Sequence, residues 1–281
     1  MDNIIQKPTL PFVETMLTQV CNLSCTGCTN YSDLKFSGFV PWDQGKDQLT
    51  KWLEKINLPD FGLMGGEPLI NPQVREWISG TRELLPDSQI RFTTNGLLLE
   101  KHFDVVDLMK DIGNSVFKIS VHVNDQKINS VIDKIFKRYD WEPVTEYGID
   151  RWKSGNFRLQ INRPTHFTKS YKGTYSNMEP HDSDPSTAFN ACCQQQCPLL
   201  YNGTIYKCST SGLLSDLLNK VGQQNKESWK SFLNQNNTMI TPQSSIDSII
   251  DFINNFGNPH SICRMCPKDA AIDHISTVTF K

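Results

Sequence analysis

Three cysteines near the start of the chain, Cys21, Cys25 and Cys28, are spaced C-x3-C-x2-C within eight residues. Thiolates are soft ligands that select iron-sulfur clusters, zinc or copper(I), and three of them on one short loop can converge on one metal centre. A closed structural site uses four protein ligands, whereas a site with three leaves a position for a small molecule. The spacing therefore predicts a metal centre with an open position. The alternative is a zinc site that takes its fourth ligand from the C-terminal part of the chain.

Six further cysteines lie in the last third of the chain, after a long stretch without any. They are Cys192, Cys193, Cys197, Cys208, Cys263 and Cys266. Nine cysteines without an apolar N-terminal signal favour metal or redox chemistry over a disulfide framework. The two separate groups predict two metal centres.

The dipeptide Asn202-Gly203 suits a two-residue turn and predicts a β-hairpin within the second group. Counting outward from the turn pairs Tyr201 with Thr204, Leu200 with Ile205, Leu199 with Tyr206, Pro198 with Lys207, and Cys197 with Cys208. Opposed residues have β-carbons about 4.5 to 5.5 Å apart, so both thiols of the last pair can reach one centre. Cys263 and Cys266 then complete four ligands, a set that suits zinc as well as an iron-sulfur cluster.

The composition of the 281 residues is that of an ordinary globular protein, with 38% hydrophobic and 21% charged residues. A net charge of -2 gives no basic face for nucleic acid or an anionic membrane, so neither is expected as a partner. No run approaches the roughly 20 apolar residues of a membrane span, and Met1 to Phe12 lacks the apolar core of a signal peptide. We therefore expect a cytoplasmic protein whose partners are small molecules or peptides.

The elements that must position these cysteines follow from the spacing of apolar residues. Strands are predicted at 12–19, 61–64, 90–94, 116–123 and 157–162. Helices are predicted at 41–56, from Asn71 as N-cap and Pro72 as first residue to Leu85, at about 101–112, and at 127–139. This alternation predicts an α/β fold with right-handed crossovers and a parallel sheet. The cysteine loop, Gly65–Pro68 and Thr93–Gly96 each follow a strand, and should meet where the carboxyl ends of the strands form a ligand site.

The alternation stops after residue 163. Residues 163–191 are rich in Pro, Ser, Thr, Asp and His, and are predicted to form a long polar loop over the site. A compact tail follows, with the hairpin at about 198–208 and helices near 213–220, 226–235 and 244–256.

Three motifs, in order along the chain, resemble the radical S-adenosylmethionine (radical SAM) superfamily over roughly residues 12–163. They are Cys21-x3-Cys25-x2-Cys28, Gly65-Gly66-Glu67-Pro68 and Thr94-Asn95-Gly96. The resemblance implies a partial (β/α)6 TIM-type barrel. It also implies that the three cysteines hold a 4Fe-4S cluster with S-adenosylmethionine on the fourth iron. Reductive cleavage of that cofactor gives a 5'-deoxyadenosyl radical, which abstracts hydrogen from an unactivated C-H bond.

The same resemblance assigns residues around the cofactor. It implies that Gly65 and Gly66 let the backbone approach the amino group of S-adenosylmethionine, with Glu67 and Pro68 in the same motif. The other candidates are Thr94, Asn95, Ser120 and Asn162 at strand ends. Gly27 departs from the family, which usually has an aromatic residue there, packed near adenine.

The tail resembles the Twitch or SPASM auxiliary-cluster extension of that family. The pattern is a cysteine, then Gly203-x4-Cys208, and later Cys263-x2-Cys266. It implies a second 4Fe-4S cluster in a small α+β domain. The family spacing places its first ligand at Cys192 or Cys193, whereas the hairpin places it at Cys197, and a cysteine left over is either free or a ligand of a further cluster. The expected division is 1–165 barrel, 166–191 polar loop or linker, and 192–281 auxiliary domain.

We expect the reaction to be an oxidation, either dehydrogenation or bond formation, in which the auxiliary cluster takes an electron. The alternative is epimerisation, in which Cys192 or Cys193 returns a hydrogen atom. Cys193 and His122 are the catalytic candidates, although a core position also explains His122. A rival of another class is a non-enzymatic zinc or iron-sulfur protein. The expected substrate is a small molecule or a peptide presented by another protein, because no separate recognition domain precedes the first strand. The expected electron donor is external, such as flavodoxin or ferredoxin.

Overall fold

The computed structural model of the protein describes residues 7–146, 149–164, 166–234, 238–269, 272–274 and 278–281. The strands are β1 (Val13–Met16), β2 (Leu23–Cys25), β3 (Asp60–Met64), β4 (Gln89–Thr94), β5 (Ser115–Ser120), β6 (Glu142–Glu146), β7 (Ile149–Ser154), β8 (Phe157–Asn162), β9 (His166–Thr168), β10 (Leu199–Tyr201), β11 (Thr204–Tyr206), β12 (Met239–Ile240), β13 (Ile272–His274) and β14 (Val278–Phe280). The helices are α1 (Trp42–Leu53), α2 (Val74–Leu84), α3 (Asp104–Asp111), α4 (Gln126–Arg138), α5 (Pro185–Asn190), α6 (Ser209–Gly212), α7 (Leu214–Lys220), α8 (Glu227–Leu233) and α9 (Ile246–Asn255). Short 3-10 turns occur at Pro68–Ile70 and Ser261–Met265.

One large sheet organises these elements, with the strand order β12-β11-β10-β1-β3-β4-β5-β8-β7-β6. The central run from β10 to β8 is parallel, and the strands at both edges are antiparallel. The expected α/β fold with a large parallel sheet is confirmed, and it is consistent with a partial barrel. None of the helices in the described ranges is long and apolar enough to cross a bilayer.

The helices follow the predicted apolar spacing. In α1 the buried positions include Leu49 and Trp52. In α4 they are Ile128, Val131, Ile132 and Ile135. These side chains join the strand side chains in one hydrophobic core, so the helices cover the sheet as amphipathic crossovers do.

The start of α2 differs from the prediction. The helix begins at Val74, and Gln73, not Asn71, is the flanking residue. Asn71 still makes a capping hydrogen bond, because its Oδ1 accepts from the backbone N–H of Gln73 at 2.9 Å. Its amide also donates to the carbonyls of Leu17 and Val40, at 3.0 Å each. Asn71 is 1% exposed, and its side chain therefore ties two loops together below the cysteine loop.

Two segments contain strands or helices that the sequence pattern does not predict. The antiparallel hairpin of β6 and β7 lies between α4 and β8, at the edge of the sheet, where a strand with one solvated face shows no continuous apolar run. The predicted polar loop at 163–191 contains β9, which pairs with β13, and the helix α5. Asp184 caps α5 by accepting from the backbone N–H of Thr187 at 2.9 Å, with Pro185 at the first turn. Residue 165, the predicted barrel boundary, lies outside the described residues.

Three of the five predicted pairs of the tail hairpin are confirmed, and the hairpin belongs to the large sheet. The predicted pairs Pro198 with Lys207 and Cys197 with Cys208 are not part of its ladder. Its ladder pairs Leu199 with Tyr206, Leu200 with Ile205, and Tyr201 with Thr204, as counted from the turn. β10 also pairs in parallel with β1, so the sixth parallel strand comes from the tail and not from residues 12–165. The helices near 213–220, 226–235 and 244–256 correspond to α7, α8 and α9.

Candidate functional site

A cavity of about 370 Å³ lies at the carboxyl ends of the parallel strands, where the strand order predicts a ligand site. Its wall includes the following residues of the predicted site: Cys21, Cys25, Cys28, Gly65, Gly66, Thr94, Asn95, Ser120, His122, Asn162, Cys193 and Cys197. The three motifs of the first half of the chain therefore meet at one place. The volume is in the range of a small-molecule site.

The cysteine loop is a short strand followed by a tight turn. The N–H of Cys28 donates to the carbonyl of Cys25 at 3.1 Å, which closes the turn. Gly27 lies within it at φ +75°, in the left-handed region that glycine adopts without strain. This backbone requirement explains why an aromatic residue is absent at that position.

Burial raises the pKa of each thiol in this loop, to about 11 for Cys21 and about 12 for Cys25, and upward for Cys28 as well. Protonated thiols are therefore the stable form of the loop without metal. Coordination deprotonates thiols, because the metal charge replaces the solvation that burial removes.

Gly65 and Gly66 are required by backbone packing. The N–H of Gly66 donates to the carbonyl of Thr18 at 2.8 Å, next to the cysteine loop. A β-carbon added at Gly65 meets that same oxygen at 2.6 Å, and one added at Gly66 meets the Gln19 oxygen at 2.8 Å and lies closer still to Val20. The two glycines thus let the end of β3 bind the segment that leads into the cysteines.

Glu67 lies behind the cavity wall and is 0% exposed. Its carboxylate accepts from the hydroxyl of Thr94 at 2.8 Å and from the backbone N–H groups of Asn95, at 2.8 Å, and Leu69, at 3.1 Å. Burial raises the pKa of Glu67 to about 7, although these donors oppose the shift. Glu67 therefore fastens the end of β3 to the end of β4, and Pro68, also buried, starts the turn that follows.

Asn95 connects β4 to the cysteine loop. Its side-chain amide donates to Asn22 Oδ1 at 2.7 Å and lies 3.7 Å from the sulfur of Cys21. Ser120 and Asn162 are register partners at the ends of β5 and β8. The glycine motif, Glu67 and Asn95 together hold the cysteine loop over the edge of the sheet.

His122 lines the cavity just beyond β5. Burial, assisted by the charge of Lys118, lowers the pKa of His122 to about 4. The imidazole is therefore neutral near pH 7, and it can accept or donate a hydrogen bond without carrying charge into the cavity.

The second group of cysteines divides between two places. Four of them line a separate narrow pocket: Cys192, Cys208, Cys263 and Cys266. The pocket has room for about 20 Å³, and its other walls are mostly apolar. Cys193 and Cys197 face the first cavity instead. The structure thus places Cys192 beside the other three, and it places neither Cys197, which the hairpin predicts, nor Cys193, which the family spacing also allows, in that pocket.

The reason lies in where the hairpin ladder ends. It stops at the pair Leu199 with Tyr206, and the carbonyl of Pro198 accepts from the N–H of Glu14 on β1 at 3.0 Å. The chain before β10 therefore follows β1 and carries Cys197 toward the first cavity. Across the described ranges, no three His, Cys, Asp or Glu side chains converge on a single metal-ion position. A cubane cluster does not require its ligands to meet at one position, since each thiolate binds a different iron.

Two charged residues of the cavity wall, Glu14 and Lys118, were not expected there. Burial raises the pKa of Glu14 to about 7, while Lys118 opposes the shift. Each is a single charge inside a strand that is otherwise largely apolar, and this break in the pattern is the signal that sequence reasoning could have used.

Residues 15–158 match the model of the radical SAM superfamily. The chain belongs to the radical SAM superfamily. Curated relatives include a GTP 3',8-cyclase of Aquifex aeolicus (strain VF5), 26% identical over 159 residues, which are 54% of this chain and 47% of that one. Another is a GTP 3',8-cyclase of Listeria monocytogenes serotype 4b (strain CLIP80459), 27% identical over 115 residues, with 39% and 33% covered. The matched part of this radical SAM chain therefore spans less than half the length of either relative.

Solved structures with a similar fold include BtrN in complex with AdoMet and 2-DOIA, at 16% identity and a TM-score of 0.48, with 82% of this chain and 87% of that chain covered. They also include SuiB of Streptococcus suis bound to S-adenosylmethionine, at 19% identity and a TM-score of 0.36, with 44% and 27% covered. Membership of the radical SAM superfamily implies a 4Fe-4S cluster and S-adenosylmethionine as cofactors.

Proposed function

We propose that the chain is a radical SAM enzyme whose first cavity binds S-adenosylmethionine on a 4Fe-4S cluster held by Cys21, Cys25 and Cys28. The observation that carries the proposal is that these thiols share one cavity with the glycine motif and with Asn95. When bound, the two cofactors supply a carbon radical able to remove hydrogen from an unactivated C-H bond. The donor set fits: three soft thiolates, and polar groups from several strand ends around an open position.

The protein's own residues supply position and surroundings. Glu67 and Asn95 hold the cysteine loop through buried hydrogen bonds, so the loop geometry is set before any cofactor binds. Ser120 and Asn162 offer hydroxyl and amide groups to the cofactor or the substrate. His122, neutral near pH 7, is the candidate for a hydrogen-bonding or proton-transferring role at the substrate.

We further propose that Cys192, Cys208, Cys263 and Cys266 hold an auxiliary 4Fe-4S cluster in a Twitch/SPASM-like region. Their common pocket supports this set over one that begins at Cys193 or Cys197. We propose that the chain divides into a barrel unit at 1–165, a polar segment at 166–191 and an auxiliary unit at 192–281, with β10 completing the sheet of the first unit.

The reaction proposed is an oxidation of a small molecule or peptide, with the auxiliary cluster as the electron acceptor and an external donor such as flavodoxin or ferredoxin. Epimerisation is the second candidate, and a specific observation favours it: Cys193 and Cys197 face the first cavity, where a thiol can return a hydrogen atom.

Anaerobic reconstitution with iron and sulfide, followed by dithionite reduction with S-adenosylmethionine present, tests the proposal. About eight irons per chain, four for each cluster, and formation of 5'-deoxyadenosine are expected. Tightly bound zinc with no 5'-deoxyadenosine would show that the chain is a structural metal protein instead.

An experiment in D2O distinguishes oxidation from epimerisation by the mass of the product. A fraction of cellular small molecules and peptides incubated with the holoenzyme in D2O should yield a product lighter by two hydrogens if the reaction is an oxidation. An epimerase incorporates deuterium from the exchangeable thiol, and Cys193→Ala or Cys197→Ala abolishes that incorporation.

A further inference from the structure

Two opposite charges lie one layer below the strand ends in the first cavity. Glu14 is two residues before the end of β1, and Lys118 is two residues before the end of β5. Both line the cavity, and they are the only residues of its described wall with an ordinary acidic or basic side chain. A cavity meant for an uncharged substrate has no use for such a pair, since buried charge is costly without a partner.

The register places both side chains on the cavity face of the sheet. Glu14 is the partner of Gly62 on β3, and a β-carbon added at Gly62 would meet that of Glu14 at 2.9 Å. Lys118 is the partner of Thr93 on β4, which also lines the cavity. The bare backbone at Gly62 therefore gives the Glu14 side chain its room.

Among the described residues, neither charge has a direct partner, although the two attract each other through space. In the part of the chain that the structure describes, the Glu14 carboxylate and the Lys118 ammonium make no hydrogen bond and no ion pair, with each other or with a third residue. The charge of Lys118 affects the pKa values of Glu14, His122 and Cys197 only through space, without a direct contact. The neighbouring groups are thiols and a neutral imidazole, which leave both charges available to a ligand.

We propose that Glu14 and Lys118 bind the two ends of a small zwitterionic substrate, one that carries an ammonium group and a carboxylate or similar anion. Its middle then lies beside Cys193 and Cys197, between the charged layer and the cysteine loop. The assignment rests on the proposed function for its reaction and names the substrate class of the same cavity. A charge-assisted contact at each end fixes which C-H bond faces the cofactor.

The test uses ω-amino carboxylates of graded length as probes: glycine, 4-aminobutyrate and 6-aminohexanoate. Saturation-transfer NMR on the reconstituted holoenzyme, with S-adenosylmethionine saturating, compares them with butylamine and butyrate, which carry one charge each. At least one zwitterion should bind about ten-fold or more tightly than either single-charge probe. If butylamine binds the wild-type protein as tightly as the best zwitterion, or if no zwitterion binds, the inference is wrong.

Variants then assign the two ends. Glu14→Gln and Lys118→Met should each weaken the best zwitterion about ten-fold or more, while Glu100→Gln and Lys127→Met, exposed residues outside the cavity, leave its affinity unchanged. Unchanged affinity in both cavity variants overturns the inference. So does binding that appears only when S-adenosylmethionine is absent, because the probe then occupies the cofactor's amino-acid site. Formation of 5'-deoxyadenosine by the wild-type enzyme tests the proposed function separately.

Discussion

The two groups of cysteines occupy different surroundings. The first group lies on one strand and turn, and opens on a cavity of about 370 Å³ with polar side chains from several strands. Four cysteines of the second group come from three separate segments and line a pocket of about 20 Å³ with mostly apolar walls. Three thiols beside a large cavity with polar side chains suit binding and chemistry, whereas four thiols around a small, mostly apolar pocket suit a centre that accepts electrons or holds the fold.

Backbone support differs in the same way. The first loop is held by hydrogen bonds from β3 and β4 through the glycine motif, Glu67 and Asn95. The second pocket is assembled from loops and a hydrophobic core: the Gln194 amide donates to the Ser209 hydroxyl at 2.7 Å, and Ile262 and Met265 pack in a core with Trp229. The first centre is thus held by strand ends of the sheet, while the second is held by contacts among segments of the tail.

The largest effect is expected from removing a thiol of the first group. Cys25→Ala should lose about four irons per chain and lower 5'-deoxyadenosine formation by more than about 100-fold, because loss of even a second-shell partner can cost that much at metal sites. Iron and sulfide analysis with product chromatography measures both. Ser186→Ala, at an exposed position outside both cavities, is the control. Full iron and undiminished product in Cys25→Ala would remove the first centre from the proposal.

The next effect separates the cysteines of the second group. Cys192→Ala should lose about half of the reconstituted iron, while Cys193→Ala and Cys197→Ala should retain all of about eight irons, because only Cys192 shares the pocket of the other three. Mössbauer spectroscopy of 57Fe-reconstituted protein counts the clusters. Iron loss in Cys193→Ala with full iron in Cys192→Ala would return the ligand to the position that the family spacing allows.

The strand-helix alternation and the meeting of the three motifs could be predicted, because both follow from local apolar spacing and from where parallel strands end. The hydrogen bonds from Asn71 to two other loops could not be predicted, since an asparagine that only caps a helix has the same local sequence as one that also joins two loops. The parallel pairing of β10 with β1 joins residues about 185 positions apart, and no local pattern encodes such a contact. Which of Cys192, Cys193 and Cys197 lies beside the other three cysteines depends on that pairing, so it could not be predicted from the local sequence either.

In the glycine motif, the sequence predicts the need for glycine correctly, but the structure gives a different reason for it. Glycine was expected at 65 and 66 to admit a cofactor, but the added β-carbons point at the carbonyls of residues 18–20. Lys118 and Glu14 show the opposite case: the sequence contained a signal, a charge within an apolar strand, but gave no indication of which face it occupied until the register was known.

A smaller effect, on stability, should come from the close contact between Gly66 and the backbone of residues 18–20. Gly66→Ala should lower the free energy of unfolding of the metal-free protein by about 3 kcal/mol, because the new methyl group overlaps main-chain atoms that cannot rotate away. Urea unfolding under anaerobic reducing conditions measures it. Gly257→Ala is the matched control, since the nearest atom to its added β-carbon is a flexible side-chain nitrogen at 4.0 Å. Equal stability of the two variants would mean that the support of the first loop is not the close backbone contact.

The smallest effect is a pH dependence that only the first cavity should show. Burial gives Glu14 a pKa of about 7 against an ordinary value of 4.5, so the folded chain binds that proton more tightly than the unfolded chain. The resulting stabilisation is complete below about pH 4.5 and is lost as the pH rises through about 7. Between pH 5 and pH 8 the wild-type unfolding free energy should therefore fall by about 2 kcal/mol more than that of Glu14→Gln. Urea midpoints of the metal-free proteins at several pH values, with Glu100→Gln as control, give the difference. Parallel curves would mean that the Glu14 carboxylate is solvated or paired in the folded protein, and burial would then not distinguish the charged layer of the first cavity.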